Sequence, residues 1–154
     1  TVGDAYLDAR EAIENLRRIP AGRLDAWLGQ VAEDFKALTN LPVEVDMHLN
    51  SELPVESQVQ MIRIVQEAFT NVRKHAQASR VWLRAWEDEQ EALIEVVDDG
   101  LGFSPTDTIT AARYGLRGMR ERAESFGADF QVASCPKGGT TIRLRIPLRV
   151  GVKP

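Results

Sequence analysis

Hydrophobic residues recur along this chain with two periods, one typical of helices and one typical of strands. Residues 4–18, 23–40 and 54–76 show the helical period and predict three helices. Pro54 lies near the first turn of the third helix, where proline is well tolerated. The apolar stripes of the second and third helices are Leu24, Trp27, Leu28, Val31, Phe35 and Leu38, and then Met61, Ile62, Val65, Ala68, Phe69, Val72 and Ala76.

Period-two alternation or short apolar runs predict strands at residues 41–49, 80–86, 92–97, 129–134 and 140–148. The second and third strands flank an acidic turn, and the last two flank a glycine-rich turn. Residues 104–113 show no apolar period and predict a loop, after which a helix opens at Tyr114 and ends near Gly127. This order predicts an α+β fold, a two-layer sandwich in which a mixed sheet has helices packed on one face.

Composition narrows the class of protein. The 154 residues carry a net charge of −4, which gives no support to a nucleic-acid-binding surface. The single cysteine excludes an internal disulfide, and with two histidines there are too few soft ligands for a structural zinc site. No apolar run approaches the ~20 residues that span a bilayer. Because the chain begins inside a predicted helix, we expect a fragment of a longer protein.

The chain is organised around the turn that follows the strand at residues 92–97. Apolar residues end abruptly in Asp98 and Asp99, followed by Gly100 and Gly102, and glycine lets the backbone approach a ligand closely. A half-desolvated carboxylate at this point needs a hydrogen-bond donor. An exocyclic amine of a base such as adenine is one candidate, and a backbone N–H of the turn itself is the structural alternative.

The third helix carries a second polar feature. Glu67, Asn71, Lys74 and His75 stand at positions i, i+4, i+7 and i+8 and form a stripe beside the apolar face. A solvated face is one interpretation. The other is functional, because Asn is a poor helix former in mid-segment and this set of side chains can hold a metal ion with attached phosphates.

Glycines and arginines at the start of the last helix suggest a phosphate site. Gly115 and Gly118, with Arg113 and Arg117, would precede the helix, whose first N–H groups are unpaired and lie at the positive end of its dipole. Neither the phosphate-loop pattern nor a dinucleotide fingerprint is present. A nucleotide would therefore bind here by another architecture.

Taken together, these motifs resemble the N, G1, G2 and terminal glycine boxes of the ATP-binding domain of two-component sensor histidine kinases, the GHKL or Bergerat fold. The resemblance covers residues 23–148, and the phrases KHAQAS and YGLRGMRERA are most similar to the nitrate/nitrite sensors and the cold-sensing lipid-desaturase regulator. The boxes are Gln66-Glu67 with Asn71 and Lys74-His75; Asp98, Gly100, Gly102 and Phe103; Gly115-Leu116, Gly118 and Met119; and Gly138-Gly139-Thr140.

The resemblance implies a role for each matching residue. Asp98 would accept a hydrogen bond from the adenine amino group, with Gly100 and Gly102 making room for the ring. Asn71 would ligate Mg²⁺. Glu67 would polarise the attacking group, or else form a structural salt bridge.

Three basic residues, Lys74, His75 and Arg117, would contact phosphate, although His75 could instead orient Asn71. Thr140 would line the base pocket, and residues 104–113 would be a short ATP lid. The rest of the implied ATP-binding set is Tyr114, Gly115, Leu116, Gly118 and Gly139.

The same resemblance implies a domain plan and partners. Residues 1–20 would be the tail of the second helix of a missing dimerisation and phosphoacceptor domain, residues 21–150 the catalytic ATP-binding domain, and residues 151–154 a tail. The protein would bind ATP and Mg²⁺, phosphorylate a histidine upstream and serve a response regulator of the NarL type. The parent would be a homodimeric inner-membrane sensor with this domain in the cytoplasm. Another GHKL ATPase, an anti-sigma-type serine kinase or a degenerate scaffold are the alternatives.

Overall fold

In a computed structural model of the chain, residues 23–104 and 110–148 are described. The helix expected at residues 4–18, residues 105–109 of the expected lid and the expected tail at 151–154 lie outside this part. In chain order the elements are α1 (Leu24–Thr39), β1 (Val43–His48), α2 (Val55–Asn71) continued by a π-helical turn (Val72–Ala76), β2 (Val81–Glu87), β3 (Glu91–Asp98), α3 (Thr110–Ser125), β4 (Asp129–Ser134) and β5 (Thr140–Pro147).

The five described strands form one sheet in the order β1-β2-β3-β5-β4. The first pair, β1 and β2, is parallel, and the other three pairs are antiparallel, so the sheet is mixed. Helices α1, α2 and α3 pack on one face through a single apolar core. The two-layer α+β sandwich predicted from the order of elements is therefore confirmed.

The apolar stripes of α1 and α2 face each other and the sheet. Every apolar stripe residue predicted for α2 is buried, and the rings of Phe35 and Phe69 meet with centroids 4.8 Å apart. One prediction for α1 is wrong: Leu38 is 60% exposed, because it lies in the last turn beyond the edge of the core. None of the described helices is long and apolar enough to cross a membrane.

The last turn of the long helix departs from the α geometry. After Asn71 the chain makes one π-helical turn, Val72–Ala76, and it stops at Gln77 in the left-handed conformation with φ 49°. Isolated π turns often occur at functional sites because they re-aim side chains. The predicted end at residue 76 is confirmed, while the positions of Lys74 and His75 on the helix differ from those of an α-helical stripe.

Helix α3 begins earlier than its sequence suggests. It starts at Thr110, whereas the absence of an apolar period over residues 104–113 predicted a loop as far as residue 113 and a helix from Tyr114. Its other end agrees with prediction. Gly127 has φ +78° and its N–H donates to Glu124, while the N–H of Ala128 donates to Ala123, which is the paired pattern of a Schellman cap.

The sheet face opposite the helices contains a buried ion pair. Glu95 on β3 is only 5% exposed, and the Arg143 Nε directly across on β5 donates to its carboxylate over 2.6 Å. A buried charge that loses its partner is strongly destabilising. This pair therefore ties the centre of the sheet together on its open side.

Replacing Arg143 by Met should lower the free energy of unfolding by roughly 2–4 kcal/mol, since Glu95 then stays buried without a cation and the 38% exposure of Arg143 moderates the loss. Arg145→Met is the matched control on the same strand and face: Arg145 is 44% exposed and 3.8 Å from Glu91, so a loss below about 1 kcal/mol is expected. Urea unfolding of both variants measures the difference. Equal losses would contradict a special role for burial.

Candidate functional site

Three polar side chains lie in line at one end of the sheet, on the face covered by the helices. Strand pairing sets Asp98 opposite Thr140 and Thr140 opposite Ser134. The hydroxyls of Ser134 and Thr140 are 2.8 Å apart, and the N–H of Phe103 donates to Ser134 Oγ over 2.9 Å. This line brings together residues from the second and fourth predicted boxes.

Asp98 has a buried carboxylate, 7% exposed, which accepts the Gly100 N–H over 2.8 Å. The backbone of Thr140 supplies a second hydrogen bond. Burial raises the pKa of the Asp98 carboxyl, outweighing these two bonds. The structural alternative, a backbone donor within the turn, is thus present, and an ionised carboxylate has sites left for a further donor.

The neighbouring carboxylate of Asp99 is exposed and serves the backbone. Its Oδ1 accepts the N–H of Ser79 over 2.8 Å and that of Arg80 over 2.9 Å. These bonds, led by the one from Arg80, lower the pKa of the Asp99 carboxyl. No chemistry was predicted for Asp99, and its observed role is to fasten the turn to the segment that follows the π turn.

The glycine turn packs against the end of the long helix. A Cβ on Gly100 would overlap the carbonyl of Ala76, and the next N–H, that of Leu101, donates to the same carbonyl over 2.7 Å. Gly102 and Gly139 both have positive φ, at 60° and 73°. The close approach of Ala76 therefore explains the glycine at position 100, and its role toward an adenine ring stays a prediction.

Glu67 and Asn71 pack against α3 at Gly115. A Cβ built on Gly115 would lie 2.8 Å from Glu67 Oε1 and 3.5 Å from Asn71 Oδ1, so both oxygens lie close to this glycine. Mg²⁺ prefers such oxygen donors and shares them with phosphates. Among the described residues no three His, Cys, Asp or Glu side chains group as a metal site, so a metal here would need ligands from the phosphates.

The remaining predicted cations are exposed. Lys74 and His75 stand on the π turn with exposed side chains. Arg117 is also exposed, and its Nε donates to Glu121 one turn along α3 over 3.0 Å. In this state the guanidinium of Arg117 is held by a carboxylate of its own helix.

A groove of about 330 Å³ opens beside the polar line, between α3 and β4. Its lining residues are Phe103, Leu116, Arg117, Arg120, Val132 and Ser134. Leu116 and Arg117 were predicted site residues. Ser134, Val132 and Arg120 were missed, and the signal that could have found them is register, because Ser134 pairs with Thr140 and Val132 follows on the same face.

The predicted position of two glycines at the start of the last helix is wrong. Gly115 and Gly118 lie inside α3 with Tyr114, so their N–H groups are not the unpaired donors at a helix start that the sequence suggested. A Cβ on Gly118 would meet nothing within 4 Å. The roles of these residues toward phosphate stay predictions.

The sequence is similar to a known protein family and to individual sensor proteins. Residues 56–150 match the family model described as "Histidine kinase-, DNA gyrase B-, and HSP90-like ATPase". The sensor protein VraS of Staphylococcus saprophyticus is 33% identical over 152 residues, and that of Staphylococcus epidermidis is 32% identical over 150. Each match covers 96% of this chain and 42% of the relative, so the chain spans about two fifths of their length.

Solved structures agree on the fold. The blue-light activated histidine kinase of Erythrobacter litoralis superposes with a TM-score of 0.76 and 25% identity, over 96% of this chain and 55% of that one. The mycobacterial sensor histidine kinase MprB superposes with a TM-score of 0.62 and 17% identity, over 78% of this chain and 91% of that one. The second likeness concerns the fold alone.

Two glycines of the predicted site should respond oppositely to alanine. Gly100→Ala should lower the free energy of unfolding by roughly 1–3 kcal/mol, because the new methyl group overlaps the Ala76 carbonyl. Gly118→Ala should raise it by about 0.5–1 kcal/mol, because alanine is a better helix former and space is open there. Thermal or urea unfolding of the two variants measures these changes in the free energy of unfolding. A destabilised Gly118→Ala variant would contradict the position of that glycine within α3.

Proposed function

Since the chain belongs to the family of histidine kinase-, DNA gyrase B- and HSP90-like ATPases, we propose that it binds Mg-ATP and donates the γ-phosphoryl group to a histidine on an upstream dimerisation domain. The observation that supports this most is the buried Asp98 carboxylate at the end of β3, joined to Thr140 and bordered by a groove. A desolvated acceptor of this kind suits the amino group of adenine.

The choice of a histidine kinase within the family follows from the relatives. The VraS proteins are sensor proteins, and their similarity extends over 96% of this chain, beyond the residues that the family model matches. Similarity over this share of the chain fits a regulatory kinase that acts with a response regulator. The other ATPases of the family and the serine kinases stay as alternatives for the test.

Each residue of the site has a proposed task. Asp98 fixes adenine, and Thr140 with Ser134 forms the wall beside it. Asn71 would hold Mg²⁺ through its amide oxygen, and the ion would supply charge neutralisation for the phosphates when bound. Glu67, whose carboxylate lies beside Asn71 at Gly115, would polarise the attacking imidazole.

Transfer of the γ-phosphoryl group depends on positioning of the reactants more than on covalent chemistry by the protein. A bond forms between an imidazole nitrogen and the γ-phosphorus, the bond from that phosphorus to the bridging oxygen breaks, and ADP leaves with the electron pair. Lys74, His75 and Arg117 would offset the charge on the phosphates, and for Arg117 this requires release from Glu121. The acceptor histidine is not among the two in this chain, His48 and His75.

Finer assignments belong to the same proposal. The nitrate/nitrite-sensor-like subfamily, a NarL-type response regulator, a homodimeric parent and an inner-membrane location with a cytoplasmic kinase domain follow from the motif resemblance. The relatives named above are VraS sensor proteins, so the subfamily rests on the phrases in the N and G2 boxes alone.

Asp98→Asn should weaken binding of a non-hydrolysable ATP analogue with Mg²⁺ by at least about tenfold, because a hydrogen bond to a charged acceptor is lost. The fold should be kept, since an amide oxygen can still accept the Gly100 N–H. Asp99→Asn is the control and should bind normally. Calorimetric titration of the three proteins gives the comparison, and unchanged affinity in Asp98→Asn would remove Asp98 from the site.

The same assignment has a pH signature. The pKa of Asp98 is raised in the free chain, so its carboxylate protonates at a higher pH than an ordinary aspartate does. If nucleotide binds only the ionised carboxylate of Asp98, binding should lower the pKa of this group. The affinity of the chain for nucleotide should then fall by up to about tenfold per pH unit below the raised pKa. NMR titration of the Asp98 carboxyl with and without nucleotide checks the sign, and Asp99, whose pKa is lowered, is the internal control.

Phosphotransfer should appear when this chain is mixed with a separate dimerisation domain of a VraS-type sensor protein and radiolabelled ATP. Asn71→Ala should lose most of the label and should lose Mg²⁺-dependent nucleotide binding more than metal-free binding. Acid-labile label on histidine supports the proposal. Label on serine of a partner favours the serine kinase, and nucleotide binding without transfer favours a scaffold.

A further inference from the structure

The hydroxyl of Ser134, at the end of β4, is hydrogen-bonded to three groups. It accepts the N–H of Phe103 over 2.9 Å and donates to the carbonyl of Gly139 over 3.1 Å. The hydroxyl of Thr140 lies 2.8 Å away, and the distance alone does not say which of the two oxygens is the donor. Since a hydroxyl has one proton and two lone pairs, three partners use its whole capacity.

Counting protons assigns the donor between the two hydroxyls. A carbonyl can only accept, so the proton of Ser134 goes to Gly139, and the N–H of Phe103 takes one lone pair of Ser134. The second lone pair is left for Thr140, whose hydroxyl must then donate. The opposite order, in which Ser134 donates to Thr140, would take this donor from the carbonyl of a buried residue, which is unfavourable.

This order decides what the side chain of Thr140 offers to a ligand. With its proton committed to Ser134, the hydroxyl of Thr140 presents lone pairs and acts as an acceptor. Asp98 is its neighbour across the strand pair, and an ionised carboxylate is an acceptor as well. Two acceptors side by side suit a donor group with two hydrogens, and the exocyclic amino group of adenine is such a group.

Contacts that do not use the Ser134 hydroxyl hold the backbone around it. In the turn between β4 and β5, the N–H of Lys137 donates to the carbonyl of Leu101 over 2.6 Å. Gly139 packs so closely on the carbonyl of Asp98 that it has no room for a Cβ. Removal of the Ser134 hydroxyl should therefore leave the strands and turns in place and act mainly on the neighbouring hydroxyl.

We propose that Ser134 is a positioning residue of the nucleotide site: it takes the proton of Thr140 and so presents that hydroxyl as a second acceptor, beside Asp98, for the amino group of adenine. The inference rests on the proposed function, because it concerns the same site. Ser134 acts through Thr140, so its effect on affinity depends on an amino group in the ligand.

Two ligands separate this role from a general support of the fold. One is a non-hydrolysable ATP analogue with Mg²⁺, and the other is its counterpart in which hydrogen replaces the 6-amino group of the purine. Ser134→Ala should weaken binding of the first by about three- to tenfold, the range of one neutral hydrogen bond, and leave binding of the second within about twofold of the wild type. Calorimetric titration measures both affinities, and circular dichroism checks the fold.

Matched variants test whether the hydroxyl itself is responsible. Ser134→Thr keeps a hydroxyl and should bind the ATP analogue as the wild type does, whereas Ser134→Val has the same shape without a hydroxyl and should resemble Ser134→Ala. Ser125→Ala is the control, because the hydroxyl of Ser125 donates to the carbonyl of Arg122 in its own helix over 2.6 Å. This variant should bind both ligands as the wild type does.

A double-mutant cycle tests the connection to Thr140. In a Thr140→Val background, Ser134→Ala should have no further effect on the ATP analogue, because the hydroxyl that it positions is already absent. A loss that persists in full in that background, equal losses for both ligands, or an unchanged affinity of Ser134→Ala would overturn the positioning role and leave the proposed function in place. A wild-type chain that binds neither ligand would overturn the proposed function and this inference with it.

Discussion

The whole site depends on one close approach, between the carbonyl of Ala76 and the turn after β3. Leu101 donates to that carbonyl over 2.7 Å, and Gly100 permits the approach because it has no Cβ. The contact joins the end of the long helix to the end of the central strand. Together with the core that packs the helix on the sheet, it places Asn71 on the helix and Asp98 on the strand at the same end of the fold.

Two adjacent carboxyl groups at this junction have opposite pKa shifts because their surroundings differ. Burial raises the pKa of Asp98, while backbone N–H groups lower that of Asp99. Asp99 therefore contributes stability above its unfolded pKa, and this contribution is lost as the pH falls through its folded value. The contribution of ionised Asp98 to stability has the opposite sign, since folding disfavours its ionised form. A buried carboxyl group with a raised pKa at the end of a strand is the kind of group that binding sites often contain.

Periodicity predicted most of the fold because burial itself is periodic. The stripe of α2, the hairpin of β2 and β3, and the bounds of β4 follow from which residues must avoid water. The pairing register of the strands was harder to predict from the sequence. That Ser134 shares a line with Asp98 depends on how β4 pairs with β5, and the alternation within each strand does not determine that pairing. The exposure of Leu38 likewise depends on where the core ends.

The start of α3 shows why local signals mislead at a functional site. Residues 104–113 show no apolar period, so the sequence predicted a loop there and a helix only from Tyr114. The glycines at 115 and 118 each cost that helix about 1 kcal/mol relative to alanine. Tertiary packing offsets this cost, because Gly115 lets α3 lie against Glu67, and Met119 and Ala123 of the same helix are fully buried in the core. The core holds the part of α3 from Met119 onward, and both glycines precede that part. A ligand with higher affinity for a form unwound before Met119 would expose the N–H groups that the sequence suggested for phosphate.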